Sequence, residues 1–417
     1  MVIGQILILL ATILAVALSC RQFLFAWRVI HQGGTFDRSD DQNAFDETEW
    51  PDVAILIPAH NEERVLAGCL KAMCALDYPV DKLSIVVIDD RSTDLTYTIA
   101  KEFAEMDKRV RVIRRPENAV PGKAAAILDG MTASKSEILV LFDADYLPPP
   151  SLLKHLVAPF ADPQVGATMG RVVPANTDRG LLTRLLDLER RAGYAVDQNA
   201  RELLGLAPQF GGTVGGIRRA ALESVGGWPT GHLAEDTDLT FRLVLANWRV
   251  KYLNDARCYE EVPEDWVARF RQVRRWAYGH NQCLISYFGE VLRAPRLTLA
   301  QRMDGALLLL IYLFPLFVLV SIFALIPFTA FAGNGIVSRV LIWLAPVLSI
   351  AMLAPYSQIM VAAVCDGQPH VLRALPLLFI SSCVSLLAAS AGVILLARNL
   401  SMGLAPGWDK TRRYRTT

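Results

Sequence analysis

The sequence has no excess of positive or of negative charge. It also has no cluster of cysteines or histidines with the spacing of metal ligands. Its formal net charge is only +1, which argues against a nucleic-acid-binding surface. The seven cysteines form no CxxC pair, and several lie in apolar runs, so we expect buried free thiols in a reducing compartment. The six histidines are equally dispersed. These absences argue against zinc centres, disulfide frameworks and nucleic-acid partners.

Apolar residues, by contrast, are abundant. They make up 53% of the chain, above the roughly 45–50% of an average soluble domain. Residues 2–20 are almost uninterruptedly apolar, close to the roughly 20 residues that a membrane-spanning helix needs. Arg21 and Arg28 follow this run and no cation precedes it, which favours a signal anchor over a cleaved signal peptide. Residues 1–30 are therefore predicted to be a membrane anchor that leaves the following chain in the cytoplasm.

Three further apolar segments, 305–332, 340–364 and 374–396, contain no Asp, Glu, Lys, Arg or His. They predict a transmembrane region over 303–398 in a multi-pass protein of the inner cell membrane, with a basic cytoplasmic tail at 399–417. Three crossings after a cytoplasmic domain would place that tail outside. One segment is therefore expected to be re-entrant, interfacial or split, and the interruption at Pro355-Tyr356-Ser357 is one candidate.

The middle of the chain has the composition of a globular domain. An acidic linker is predicted at 31–51, a domain at 52–280 and an interfacial helix region at 281–302. Short β-branched runs at 53–58, 84–89, 110–114 and 137–142 alternate with helical stretches near 62–75, 93–106 and 122–133. Strands separated by helical crossovers predict an α/β fold with a mostly parallel sheet of nucleotide-binding type.

The second predicted strand ends in Asp89-Asp90, at the edge where open α/β sheets bind ligands. A carboxylate there can accept hydrogen bonds from a base or a ribose, and Asp90 is the candidate. Asp89 and the nearby Asp94 are equally compatible with turn or cap positions. Ser92 or Thr93 is predicted to cap the following helix.

Gly122-Lys123 opens the next predicted helix, where a cation beside a helix N-terminus suits an anionic ligand. An ordinary surface lysine explains Lys123 equally well. Asp143 and Asp145 leave the fourth strand two residues apart, and two such carboxylates are costly unless a cation or donor compensates them. Their oxygen ligands suit Mg²⁺ or Mn²⁺ together with substrate phosphates, whereas a plain turn is the simpler alternative.

Acidic residues 235, 236 and 238 open another predicted helix. A carboxylate at such a position can act as a general base that takes a proton from a substrate hydroxyl, and Asp236 is our candidate. Glu235 or Asp238 can equally be present only because acids favour helix N-termini. The glycine-rich stretch 210–218 supplies backbone that can lie close to a ligand.

A helical stretch rich in cations and aromatics follows. Gln272, Arg275 and Trp276 offer hydrogen-bond donors and a flat apolar face to a substrate. A basic amphipathic helix lying on anionic lipid is the alternative. Both can hold, with Arg269 and Arg271 on lipid and the other three residues on substrate.

With these motifs, residues 52–280 resemble membrane-bound family 2 glycosyltransferases of GT-A fold, a group that includes synthases of cellulose, chitin oligosaccharide, hyaluronan and poly-N-acetylglucosamine. Residues 58–62 look like that family's opening motif, and 272–276 match its QxxRW element. The nucleotide-sugar site is then predicted at Pro58, Glu62, Asp90, Lys123 and Asp143. The resemblance also implies a metal at Asp143 and Asp145, the base at Asp236, and the diphosphate and acceptor end at Gln272, Arg275 and Trp276.

The resemblance implies inverting transfer from a UDP-sugar, of glucose or N-acetylglucosamine type, to a growing β-linked polysaccharide. The alternative is a single transfer to a membrane lipid, because no gating-loop sequence is evident and the C-terminal membrane region is smaller than in cellulose synthases. A third hypothesis, a transporter whose soluble domain senses nucleotide, is disfavoured by the absence of ionisable residues from the three C-terminal apolar segments.

Overall fold

A computed structural model describes residues 2–31, 45, 49–331 and 351–404. They fall into two compact units. The sheet unit holds residues 45, 49–183 and 207–264, and the helical unit holds 2–31, 184–206, 265–331 and 351–404. The domain boundaries drawn from the sequence stay a prediction.

The sheet unit is built on one seven-stranded sheet with the order β3-β2-β1-β4-β6-β5-β7. The strands are β1 (Val53–Ala59), β2 (Leu83–Asp89), β3 (Val110–Arg114), β4 (Ile138–Leu141), β5 (Val165–Pro174), β6 (Gly215–Arg218) and β7 (Arg249–Glu260). Strands β1–β4 pair in parallel, as do β5 and β7, whereas β6 runs antiparallel to both of its neighbours. The predicted mostly parallel sheet is confirmed, and its four predicted strands are all present.

Helices cover this sheet. They are α2 (Leu66–Cys74), α3 (Thr96–Met106), α4 (Lys123–Thr132), α5 (Leu152–Val157), α8 (Arg219–Ser224) and α9 (Glu235–Leu245). Burial of both sheet faces explains the apolar character of the central strands, since residues 53–57 of β1 are completely buried. Because β1, β2 and β4 run in parallel, the loops that follow them meet at one edge of the sheet, where the predicted carboxylates lie.

The helical unit consists of α1 (Val2–His31), α6 (Leu181–Arg191), a π-helical turn (Ala192–Gln198), α7 (Asn199–Leu203), α10 (Trp266–Arg293), α11 (Leu299–Leu310), α12 (Phe314–Phe331), α13 (Ala354–Cys365) and α14 (Leu378–Met402). Asp265 caps α10 by accepting from the Ala268 N–H at 2.7 Å. Thr298 and Gln301 form a reciprocal capping box at the start of α11.

Two stretches of the described chain are long and apolar enough to cross a membrane, Ile8–His31 and Pro369–Met402. Helix α11 and the first part of α12 would make a third, although they are bent by 57° at the break between them. The predicted segment 340–364 is described only from residue 351, and the basic tail from residue 405 onward lies outside the described residues. The side of the membrane on which the tail lies stays a prediction.

Charged residues inside the helical unit are paired. Arg21 of α1 donates to Asp197 and to Asp304, both at 2.6 Å. The fully buried Arg201 pairs with the same two aspartates. Two cations and two anions balance each other, as buried charges must.

Candidate active site

The loops after β1 and β2 are joined by side-chain hydrogen bonds at the carboxyl edge of the sheet. The Asn61 N–H donates to Ser92 Oγ at 2.9 Å, and the Thr93 N–H donates to Asn61 Oδ1 at 2.8 Å. The prediction that Ser92 or Thr93 caps the next helix is wrong, because α3 begins only at Thr96. Asp94 accepts from the Thr96 N–H at 3.0 Å instead, so Asp94 has the turn role that was one of its two interpretations.

Asp90 lies directly after β2 and is held by several donors. Its Oδ1 accepts from Arg115 at 2.6 Å and from Arg91 at 2.9 Å, and its Oδ2 accepts from the Gly122 N–H at 2.9 Å. Burial favours the neutral acid, but these hydrogen bonds outweigh it and keep the pKa of Asp90 below its ordinary value. An ionised carboxylate has about four acceptor positions, so Asp90 retains capacity for a ligand donor. The neighbouring Asp89 is fully buried.

The two residues predicted on the first loop lie at the same edge. Pro58 is the last residue but one of strand β1, opposite Ile88 of β2. Glu62 is 9% exposed, and its N–H donates to Thr96 Oγ1 at 2.7 Å. Both residues are therefore close to the Asp90 loop, and their contact with a nucleoside stays a prediction.

Lys123 joins the remaining polar groups of the site. Its Nζ lies 2.7 Å from Asp143 Oδ1 and donates to the Gly212 carbonyl at 3.3 Å. Burial lowers the pKa of Lys123, but the nearby charges of Asp143, Glu235 and Asp236 raise it above its ordinary value. Lys123, whose side chain is 27% exposed, is thus a partly buried cation facing three carboxylates, and its contact with an anionic ligand stays a prediction.

Asp143 and Asp145 differ in their surroundings. The Asp143 side chain is 24% exposed beside Lys123, whereas Asp145 is fully buried and accepts from the Glu261 N–H at 3.3 Å. No group of three or more His, Cys, Asp or Glu within the described residues is arranged to hold a metal ion. Mg²⁺ is usually bound by one or two carboxylates together with substrate phosphates. Carboxylate oxygens of this kind suit a divalent ion that also takes phosphate oxygens, and a metal at Asp143 and Asp145 stays a prediction.

Asp236 lies in the first turn of α9. Its Oδ1 accepts from the Thr237 N–H at 2.6 Å. Burial raises the pKa of Asp236 above its ordinary value, although the Thr237 hydrogen bond and the charge of Lys123 oppose the rise. Gly212 packs against it with a φ of +68°, and a Cβ added there would lie 3.0 Å from the Asp236 Cβ. A raised pKa suits a carboxylate that takes a proton near neutral pH.

Asp238 has a structural environment. It accepts from Arg242 Nε at 2.6 Å and pairs with His232 Nδ1. Burial would raise the pKa of Asp238, but the hydrogen bonds with His232 and Arg242 lower it. Asp238 therefore stabilises α9 and the loop before it, which was one of its two interpretations.

The three residues of the QxxRW element lie on α10 in the helical unit. Trp276 is partly buried, and the guanidinium carbons of Arg190 and Arg269 each lie 5.4 Å from its ring centroid. Gln272 Oε1 accepts from Arg269 at 3.0 Å. The expectation that Arg269 contacts lipid is wrong, because this side chain is buried and paired with Glu189. Arg271 is exposed.

Sequence reasoning missed Arg115 and the Gly212 carbonyl. Arg115 is buried and donates to both Asp90 and Asp129 at 2.6 Å. Its position directly after β3, at the same sheet edge, was the available signal. No sequence pattern indicated that the Gly212 carbonyl would accept from Lys123.

The family model described as "Glycosyltransferase like family 2" matches residues 51–279, more than half of the chain. A probable glycosyltransferase of Bacillus subtilis, YdaM, is 35% identical over 272 residues, which are 64% of this chain and 65% of YdaM. A beta-monoglucosyldiacylglycerol synthase of Nostoc is 35% identical over 246 residues, 58% of this chain and 52% of that protein. The chain thus spans between half and two thirds of the length of these relatives.

Among solved structures, the mannosyltransferase PcManGT from Pyrobaculum calidifontis, in complex with GDP-Man and Mn²⁺, is similar. Its TM-score is 0.58 at 25% identity, over 86% of this chain and 98% of that one. The likeness supports the predicted GT-A fold class, a mostly parallel sheet with apolar helices near both ends of the chain.

Proposed function

The chain belongs to glycosyltransferase family 2, and on that premise we propose that it transfers a sugar from a nucleotide-sugar donor to an acceptor at a membrane. The observation that carries the proposal is the convergence of Lys123, Asp143 and Asp236 around the Gly212 backbone. A cation for a diphosphate and a carboxylate of raised pKa for a hydroxyl proton are the two groups that this reaction needs.

Asp236 is the proposed general base. It takes the proton of the acceptor hydroxyl while that oxygen attacks the anomeric carbon of the sugar. The bond from this carbon to the diphosphate oxygen breaks, and the nucleoside diphosphate leaves with the electron pair. Attack opposite the leaving group inverts the anomeric configuration, so an α-linked donor gives a β-linked product.

The proposed donor is a UDP-sugar. Pro58, Glu62 and Asp90 line the nucleoside part of the site, and Lys123 with Asp143 binds the diphosphate. Asp143 and Asp145 would hold Mg²⁺ or Mn²⁺, which supplies positive charge to the leaving diphosphate when bound. The Mn²⁺ complex of the Pyrobaculum mannosyltransferase supports this part of the proposal.

For the acceptor, we propose the hydroxyl of a membrane lipid of diacylglycerol type. The Nostoc relative named a beta-monoglucosyldiacylglycerol synthase supports this choice, which reverses the order that the motifs alone suggested. A growing β-linked polysaccharide is the second candidate, because the QxxRW element is also typical of polysaccharide synthases. In both cases Gln272, Arg275 and Trp276 receive the acceptor end.

The proposed location is the inner cell membrane, with several crossings and the sheet unit in the cytoplasm. The two candidate spans of the described chain support membrane association. The two cations that follow the first apolar run support the cytoplasmic side.

The experiment is to incubate purified membranes containing the protein with radiolabelled UDP-glucose, UDP-N-acetylglucosamine, UDP-galactose and GDP-mannose, and to size the product. We expect label from a UDP-sugar in a singly glycosylated lipid that is extracted by chloroform. Label in a water-soluble polymer would establish the polysaccharide acceptor instead. If membranes with the wild-type protein transfer no more label than membranes with the Asp236→Asn variant, the proposal is contradicted.

A further inference from the structure

Arg269 contacts two residues of the QxxRW element at once. It precedes Gln272 by three positions and Trp276 by seven on α10, so the three side chains share one face of the helix. One terminal nitrogen, Nη1, donates to Gln272 Oε1 at 3.0 Å. The guanidinium carbon lies 5.4 Å from the Trp276 ring centroid, within the range of a cation–π contact.

The opposite side of the Arg269 guanidinium is fixed by Glu189 of α6. Nη2 of Arg269 donates to Glu189 Oε2, and the second oxygen of Glu189 accepts from Ser381 Oγ of α14. The Arg269 side chain is only 9% exposed. Its orientation is therefore set by Glu189, which Ser381 of a third helix holds in turn.

The Trp276 indole has further contacts. The adjacent residue on α6, Arg190, places its guanidinium carbon 5.4 Å from the same ring. The indole also packs against a buried cluster that includes Val273, Ala277 and Ala388. The plane of the ring is thus set from several sides, and Arg269 is the contact that also holds Gln272.

We propose that Arg269, anchored by Glu189, is a positioning residue that fixes Gln272 and the Trp276 indole for the acceptor. The inference rests on the proposed function of the QxxRW element. A planar guanidinium can donate to Glu189 and Gln272 in fixed directions while it stacks on an indole, whereas a lysine ammonium is a single point of charge. Arg269→Lys should therefore keep the ion pair and lose the orientation of Gln272 and Trp276.

The simpler explanation is a buried ion pair that only ties helices together, and Arg191 provides the matched control. Arg191 is similarly buried at 11% exposure and donates to Asp187, Asp366 and Gln368. It ties the same helix α6 to another part of the helical unit, and its partners in the described chain do not include Gln272 or Trp276. Arg191→Lys is thus an equivalent change in packing and charge geometry.

The first measurement does not depend on catalysis. Acrylamide quenching of the Trp276 fluorescence is measured in wild type, Arg269→Lys and Arg191→Lys. Because the chain has eight tryptophans, the Trp276 signal is obtained in each of the three proteins by subtracting the fluorescence of the same protein with Trp276→Phe. Arg269→Lys should raise the quenching constant of Trp276 because the cation no longer covers the indole in a fixed position, and Arg191→Lys should leave it unchanged. An unchanged constant in Arg269→Lys, or an equal rise in both variants, would overturn the proposal.

The second measurement uses UDP-glucose and dioleoylglycerol in phosphatidylglycerol vesicles. Arg269→Lys should raise the KM for the lipid about ten-fold, the loss expected for one charge-assisted hydrogen bond, with UDP affinity within about two-fold. When Gln272 is already replaced by alanine, Arg269→Lys should raise the KM for the lipid by less than about a further two-fold. Full additivity would overturn the positioning role. If wild-type protein transfers no sugar to this lipid, the proposed lipid acceptor fails, and the quenching result alone decides the inference.

Discussion

Acidification should destabilise the helical unit because His280 of α10 is buried in its neutral form. The side chain is 3% exposed and its Nε2–H donates to the Leu308 carbonyl at 2.8 Å. Its ring also meets Tyr312 edge-on, with the centroids 5.1 Å apart. Burial, which the Leu308 hydrogen bond only partly offsets, lowers the pKa of His280 from 6.5 to about 4.

The sign and size of the effect follow from the difference between the folded and unfolded states. Between pH 6.5 and about 4 the unfolded chain binds a proton at His280 that the folded chain does not. Stability is therefore fully present above pH 6.5 and is lost as the pH falls toward 4. One pKa unit is worth about 1.4 kcal/mol, so the whole loss from this residue is about 3 kcal/mol.

His280→Gln tests this reasoning because glutamine keeps a donor near the Leu308 carbonyl and does not titrate. The free energy of unfolding should be measured in detergent by denaturant titration at pH 7.5, 6, 5 and 4. We expect wild type to lose about 3 kcal/mol more than the variant over this range. His370→Gln is the control, because that side chain is exposed. Equal pH dependence of wild type and His280→Gln would refute the burial argument.

The remaining predictions concern the site. Gly212→Ala should lower kcat about ten-fold, because a β-carbon strains a backbone at φ +68° and presses on Asp236. Gly180→Ala is its control, because a β-carbon at Gly180 faces open space. An equal kcat in the two variants would contradict the prediction. Asp145→Ala should abolish the metal-dependent part of UDP affinity in calorimetry, and full wild-type activity in excess EDTA would exclude the metal assignment. Trp276→Ala should impair use of the acceptor more than binding of UDP, and shorten any polymeric product. Weaker UDP binding with an unchanged product would place the indole on the donor instead.

The sheet was predictable because its signal is local. Apolar runs such as residues 53–57 and 138–141 are buried on both faces, and helical stretches separate them, so pattern alone gives parallel strands. The sequence also predicted that Asp90 and Asp143 each follow a strand of one mostly parallel sheet, and they follow β2 and β4, the two parallel neighbours of β1. Helix α9 begins at Glu235, as the acidic residues at its start indicated.

Long-range pairing was not predictable. Nothing in the local pattern distinguishes Arg269, which is buried against Glu189, from Arg271, which is exposed two residues later. The contacts of Lys123 were also not predictable from the local pattern. Its partner Asp143 is 20 positions away along the chain, and its second partner is a backbone carbonyl. Partners of this kind depend on how distant segments pack. Turn chemistry caused the other error, since Asp94 rather than Ser92 or Thr93 accepts from the first turn of α3.

The most direct test of the account is the Asp236→Asn variant, assayed for sugar transfer and for UDP binding on the same preparation. An amide cannot take the acceptor proton, so turnover should fall by about 10²–10⁴-fold, with UDP affinity by calorimetry within about two-fold of wild type. Asp77→Asn, at a carboxylate 64% exposed and paired with Lys154, should behave as wild type. Turnover above about a tenth of wild type in Asp236→Asn would show that another group is the base.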